Sequence, residues 1–150
     1  MDSTFKTGLK KAVLDLISEK KADFESQLLA LQEASNADTK SSMGDKYETG
    51  RESINQSRGL VEKQKVLLDR NEKMIEQTSV DPFSIVTTGA LVKIPLGWIW
   101  IAASIGKITH QDQEVQVVSA DSPLVLALKG KRVGDRVAFR GSTTEILEVV

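Results

Sequence analysis

Between Phe5 and Gln77 the chain contains no proline, and apolar residues recur through that stretch at helical spacing. Tyr47, Ile54, Val61, Leu68 and Ile75 fall seven residues apart. An apolar residue at every seventh position keeps one stripe facing a neighbour, so it marks a helix packed along a seam against another helix. Leu60, Leu67 and Met74 are expected to broaden that face. Upstream, Leu14, Ile17, Lys21, Phe24, Leu28 and Leu31 alternate three and four residues apart. Lys21 alone interrupts the apolar seam, and its methylene stem can lie along it with the ammonium outside. In the second stretch Gly50, Ser57, Gln64 and Asn71 keep the stripe narrow. A narrow stripe suits one partner helix better than a multimer, so a monomer is expected.

The pattern stops once. Ser35-Asn36-Ala37-Asp38-Thr39-Lys40-Ser41-Ser42-Met43-Gly44-Asp45 is polar and turn-forming. A break there folds the second helix back on the first. The expectation is an antiparallel coiled-coil hairpin over residues 1–78, its tip near 35–47. Arms of about 30 residues would each reach about 45 Å.

From Ser84 the period changes. Ile85–Ile94, Trp98–Ile105 and Glu114–Ser119 are rich in β-branched and aromatic residues, with turn residues between them. Trp98-Ile99-Trp100-Ile101 is apolar at every position, as expected of a central strand covered on both faces. Asp121 or Ser122 can cap a following helix, Pro123 suits its first turn, and Gly130 can end it in a left-handed conformation. Two closing strands are expected near Arg136–Arg140 and Thr143–Val150. The implied unit, residues 79–150, is a small antiparallel β domain around one short helix. The fold class is α+β.

Charge and composition exclude several functions. The 150 residues hold 20 basic and 21 acidic side chains. Before Ser79 they number 13 and 14, and after it 7 of each. Neither part is a polycation, so non-specific duplex binding is disfavoured as the main activity. The absence of cysteine removes disulfides, thiolate metal sites and a thiol nucleophile. The uncharged run Ile94–Gly106 holds Pro95 and Gly97 and is too short for a membrane span of about 20 residues, so a buried strand is expected there. No membrane partner and a cytoplasmic location follow as expectations.

One resemblance is specific. Ser122-Pro123-Leu124, Ala127-Leu128, Gly130-Lys131, Gly134-Asp135 and the closing Glu145-Ile146-Leu147-Glu148-Val149 resemble the C-terminal domain of bacterial Gre transcript-cleavage factors. That family joins an N-terminal antiparallel coiled coil to a C-terminal domain of FK506-binding-protein-like fold. The likeness covers the whole chain in architecture, and in motif residues 121–150. It implies an accessory factor, not an enzyme: the C-terminal domain docks on core RNA polymerase and the hairpin enters the secondary channel. Tip acids then help hold a Mg²⁺ ion in the polymerase active site, and cleavage of backtracked RNA is stimulated. Nascent RNA or DNA would be met only inside that complex, and no cofactor would be stably bound. Such a role suits Mg²⁺, which takes hard oxygen ligands and needs only one or two protein carboxylates.

Carried onto this chain, the family's Gly-Asp-x-x-Glu tip matches Gly44-Asp45-Lys46-Tyr47-Glu48, making Asp45 and Glu48 the metal-directed acids. Carboxylates three apart share a face once helical. Ser122, Pro123, Leu124, Lys131 and Arg132 become the docking residues. The tip departs from the family, which continues Asn-Ala-Glu-Tyr where this chain has Thr49-Gly50-Arg51-Glu52. A second register aligns Tyr47 and Arg51-Glu52 with the family's Tyr-x-x-x-Arg-Glu and puts Lys40 and Met43 where the acids belong. Two other functions therefore stay open: a channel-binding modulator without cleavage activity, and a coiled-coil adaptor unrelated to transcription. His110, the only histidine, reads as a loop residue with no second histidine to build a metal site. Lys129, Lys131, Arg132, Arg136 and Arg140 read as solvated charges or as part of the docking surface.

Overall fold

The computed structural model describes residues 2–39 and 44–150, with side chains over 2–36 and 50–150. They form two compact units: Asp15–Arg70, and Met1–Leu14 together with Asn71–Val150. Helix α1 spans Ser3–Thr39 and α2 spans Gly44–Gln77; residues 40–43, in the middle of the expected tip, lie outside the described residues. Asp2 starts α1: its Oδ1 accepts from the Phe5 N–H at 3.1 Å and its carbonyl from the Lys6 N–H at 3.2 Å.

Within Asp15–Arg70 the helices run antiparallel. Lys21 pairs with Asp69 at 3.1 Å and Glu25 with Lys65 at 3.5 Å, so four residues forward in α1 match four back in α2. Ile17, Val61 and Leu68 are buried in the seam, and Lys21, Phe24, Leu28, Leu31 and Ile54 are half-buried. Lys21 behaves as its long stem allows, lying along the seam with its ammonium on Asp69. Leu60 and Leu67 do not broaden the seam: they are 60% and 56% exposed. They sit about 100° around the helix from Val61 and Leu68, too far to reach the partner.

The other unit is built on a five-stranded sheet ordered β3-β4-β2-β1-β7. Its strands are β1 (Leu91–Ile94), β2 (Gly97–Ile101), β3 (Gly106–His110), β4 (Gln113–Val118) and β7 (Glu148–Val149). A separate two-stranded sheet pairs β5 (Arg136–Phe139) with β6 (Ser142–Glu145), and α3 covers Pro123–Leu128. β2 is the middle strand, and its Trp98-Ile99-Trp100-Ile101 run is buried throughout, as expected. Val92, Ile94, Ile99 and Ile101 join Val125 and Leu128 of α3 in one core. Trp100, Val115 and Val117, on the other face by register, are also buried. The uncharged segment expected as buried strand is thus β2 and its flanks; no described helix is long and apolar enough to cross a membrane.

The sheets differ from the sequence reading in pairing and extent. The sheet is mixed, not antiparallel, because β4 returns from the edge strand β3 and lies parallel to β2. The first strand is shorter than Ile85–Ile94, and Ile85 makes only an isolated bridge to Arg132. The closing run Thr143–Val150 breaks at Ile146-Leu147: β6 pairs with β5, whereas β7 pairs with β1. The fully buried Ile146 is the pivot, its N–H bonded to the Asp135 carbonyl at 3.0 Å and the next N–H, of Leu147, to the Lys93 carbonyl at 2.8 Å.

Candidate functional site

The tip acids lie at the start of α2. Positions 45 and 48 belong to its backbone, but the side chains of Asp45 and Glu48 lie outside the described residues, as do Lys40 and Met43 of the second register. Arg51 and Glu52 are exposed on α2. Among the described residues no three His, Asp or Glu side chains gather as a metal cluster.

The docking candidates lie at the start of α3 and just beyond its end. Ser122 has extended backbone angles, and its Oγ accepts the Val125 N–H at 3.4 Å. Pro123 follows in the first turn, where its missing N–H costs nothing. At the far end the Lys129 N–H bonds to the Val125 carbonyl, and Gly130 takes a φ of 80°. Only glycine adopts that angle without strain. Leu124 packs against the core and, with Ile94, Leu96, Trp98 and Gln116, lines an open apolar cleft of about 230 Å³. Leu96, at the β1–β2 turn, is 91% exposed at its rim. Lys131 and Arg132 lie at the other end of α3, both exposed. The Arg132 N–H donates to Asp135 Oδ2 at 2.8 Å and the Asp135 N–H to the Arg132 carbonyl at 3.1 Å, which closes a turn around Val133-Gly134.

Sequence reasoning missed a cluster at the foot of α1. Lys6 is fully buried, and its Nζ donates to the carbonyls of Asp81 at 2.6 Å and Val150 at 3.0 Å, 4.9 Å from the Phe83 ring centre. Burial pushes its pKa down to about 8, against the opposing pull of the Asp81 carboxylate. One turn on, Lys10 Nζ donates to the carbonyls of Glu76 at 2.9 Å and Thr78 at 2.8 Å, closing the end of α2.

His110 is not a loop residue. It ends β3, its ring centre 5.2 Å from that of Phe5, and its Nε2 is buried without a hydrogen-bond partner among the described residues. A Cβ on Gly8 would stand 2.7 Å from that nitrogen, so the close approach requires glycine. The turn after it, Gln111-Asp112, takes left-handed φ angles of 50° and 63°. Nothing in the sequence marked Lys6 or His110, since each looks like an ordinary polar residue beside others.

Fold and site together define an α+β chain: an antiparallel helix pair, then a mixed sheet carrying one short capped helix. Among solved structures it is similar to the transcription factor Gfh1, with a TM-score of 0.38 and 16% identity over 93% of this chain and 94% of that one. It is similar also to Gfh1 of Thermus aquaticus, with a TM-score of 0.34 and 16% identity over 96% and 94%. No family model and no curated protein matches.

Proposed function

We propose that this chain is a Gre-type regulator of transcription elongation that binds core RNA polymerase and places its helical tip in the secondary channel. The observation that carries the reading is the match between the Gre-like motif and its local structure. Ser122-Pro123 start α3, Lys129-Gly130 end it, and Gly134-Asp135 close the next turn. The antiparallel helix pair, with Gly44-Asp45-Lys46-Tyr47-Glu48 where α2 begins, supplies the second half of the family's pattern. In this reading Asp45 and Glu48 would help hold a Mg²⁺ ion shared with the polymerase, whose active site performs the chemistry, and such an ion would supply activation of water.

The altered continuation Thr49-Gly50-Arg51-Glu52 favours a second version, in which the chain occupies the channel and slows nucleotide addition without stimulating cleavage. One assay separates the two: Mg²⁺-dependent shortening of backtracked RNA with wild type, Asp45→Asn and Glu48→Gln side by side. The cleavage version predicts shortening by wild type and its loss in both variants, with fold and polymerase affinity unchanged. The modulator predicts slower elongation, no shortening and little effect of either substitution. A wild type that neither shortens RNA nor alters elongation would overturn both.

A further inference from the structure

We propose that the polymerase surface met by the β unit is acidic with apolar side chains at its centre, and that segment 126–140 recognises it. This rests on the polymerase-binding reading above. Charge over residues 79–150 balances in total but not in distribution. Lys129, Lys131, Arg132, Arg136 and Arg140 all fall within 129–140, are exposed, and form no ion pair with a described residue. Two acids lie nearby in the chain. The carboxylate of Asp135 is held in its turn by the Arg132 N–H at 2.8 Å, and Glu145 stands across the ladder from Arg136 alone. The remaining acids of the unit lie outside the segment, leaving it with a net positive field.

Two exposed apolar side chains fall in the same stretch of chain as these cations. Leu126, on the outer face of α3 less than one turn before Lys129, is 60% exposed, and Val133, next to Arg132 in the turn, is 56% exposed. Either alone would be ordinary. Each has a cation nearby in the chain, and exposed apolar side chains with charged neighbours are what a protein interface uses. A nucleic-acid strand fits less well. It would use the cations but leave Leu126 and Val133 bare, and the one aromatic ring here, Phe139, is half-buried with the Arg140 guanidinium 5.1 Å from its centre. The guanidinium competes for the ring face on which a base would stack.

The test is the affinity of the full chain for core polymerase, at low and at higher salt, for four proteins. They are wild type, the double charge reversal Arg132→Glu with Arg136→Glu, Val133→Asp, and Lys107→Glu as a charge control outside the segment. Melting curves confirm that each is folded. The double reversal should weaken binding at low salt by about tenfold or more and flatten the salt dependence. Val133→Asp should weaken binding with the salt dependence kept, and Lys107→Glu should match wild type. Wild-type binding that ignores salt and both variants would overturn this proposal and leave polymerase binding standing. A wild type that does not bind would overturn both. If the double reversal instead lost affinity for a single-stranded RNA probe, with polymerase affinity unchanged, the segment would be a phosphate site and the proposal would fall.

Discussion

Lys6 shows how far one residue's role can depart from its type. An ammonium without access to water is costly unless its protons are used, and here two backbone carbonyls and an aromatic face take them. Lys6→Met would leave the Asp81 and Val150 carbonyls without this donor, a loss of about 1–3 kcal/mol set against the desolvation it removes. The pH dependence is sharper. With a folded pKa of about 8 against the ordinary lysine value of 10.5, both states are protonated below pH 8. Between the two values only the folded state has released the proton, so this group's contribution to stability rises with pH across that window. Denaturant titrations of wild type minus Lys6→Met should show that positive slope, and a flat or falling difference would contradict the burial. Gly8 gives a second residue-scale test. Alanine there should destabilise by about 1–3 kcal/mol through overpacking on His110. On a His110→Ala background the same change should stabilise by about 0.5–1 kcal/mol, because helix propensity then acts alone.

At the scale of elements, what was legible followed from local period, and what was not depended on partners distant in sequence. The seven-residue repeat located α2's buried seam, yet not its width: Leu67 and Leu68 look equivalent in the sequence and differ in exposure, 56% against 8%. Leu68→Ala should cost about 2–5 kcal/mol as a buried truncation, and Leu67→Ala well under 1 kcal/mol, read from the two unfolding midpoints. Strand β2 was legible because a strand covered on both faces needs an unbroken apolar run. Strand β3 was not, since Gly106-Lys107-Ile108-Thr109-His110 offers one buried aliphatic side chain at a sheet edge. The switch of the last segment between sheets was hidden for a related reason: Ile146 reads as one more strand residue, although its backbone leaves the β5–β6 ladder. The α3 cap was readable residue by residue. Ser122→Ala should remove about 1 kcal/mol of stability and weaken polymerase binding if that helix start forms part of the docking surface.

For the whole molecule, balanced charge and the absence of cysteine argue against a nucleic-acid-coating protein and a thiol enzyme. They leave the two-part pattern of helix pair and β unit to carry the function. Helix pairs of this kind serve many partners, so the weight falls on the coincidence of two independent features: the Gly44-Asp45-Lys46-Tyr47-Glu48 sequence where α2 begins, and the residues of the α3 segment that resemble the Gre motif. An adaptor unrelated to transcription would need neither. Its partner would be some other protein, and polymerase would be indifferent to it. The most direct measurement is therefore equilibrium binding of the full-length chain to purified core RNA polymerase, followed by fluorescence anisotropy or sedimentation. The account predicts saturable one-to-one binding that weakens in Ser122→Ala and persists in Asp45→Asn. No detectable affinity for core polymerase under conditions where the chain is folded would contradict it.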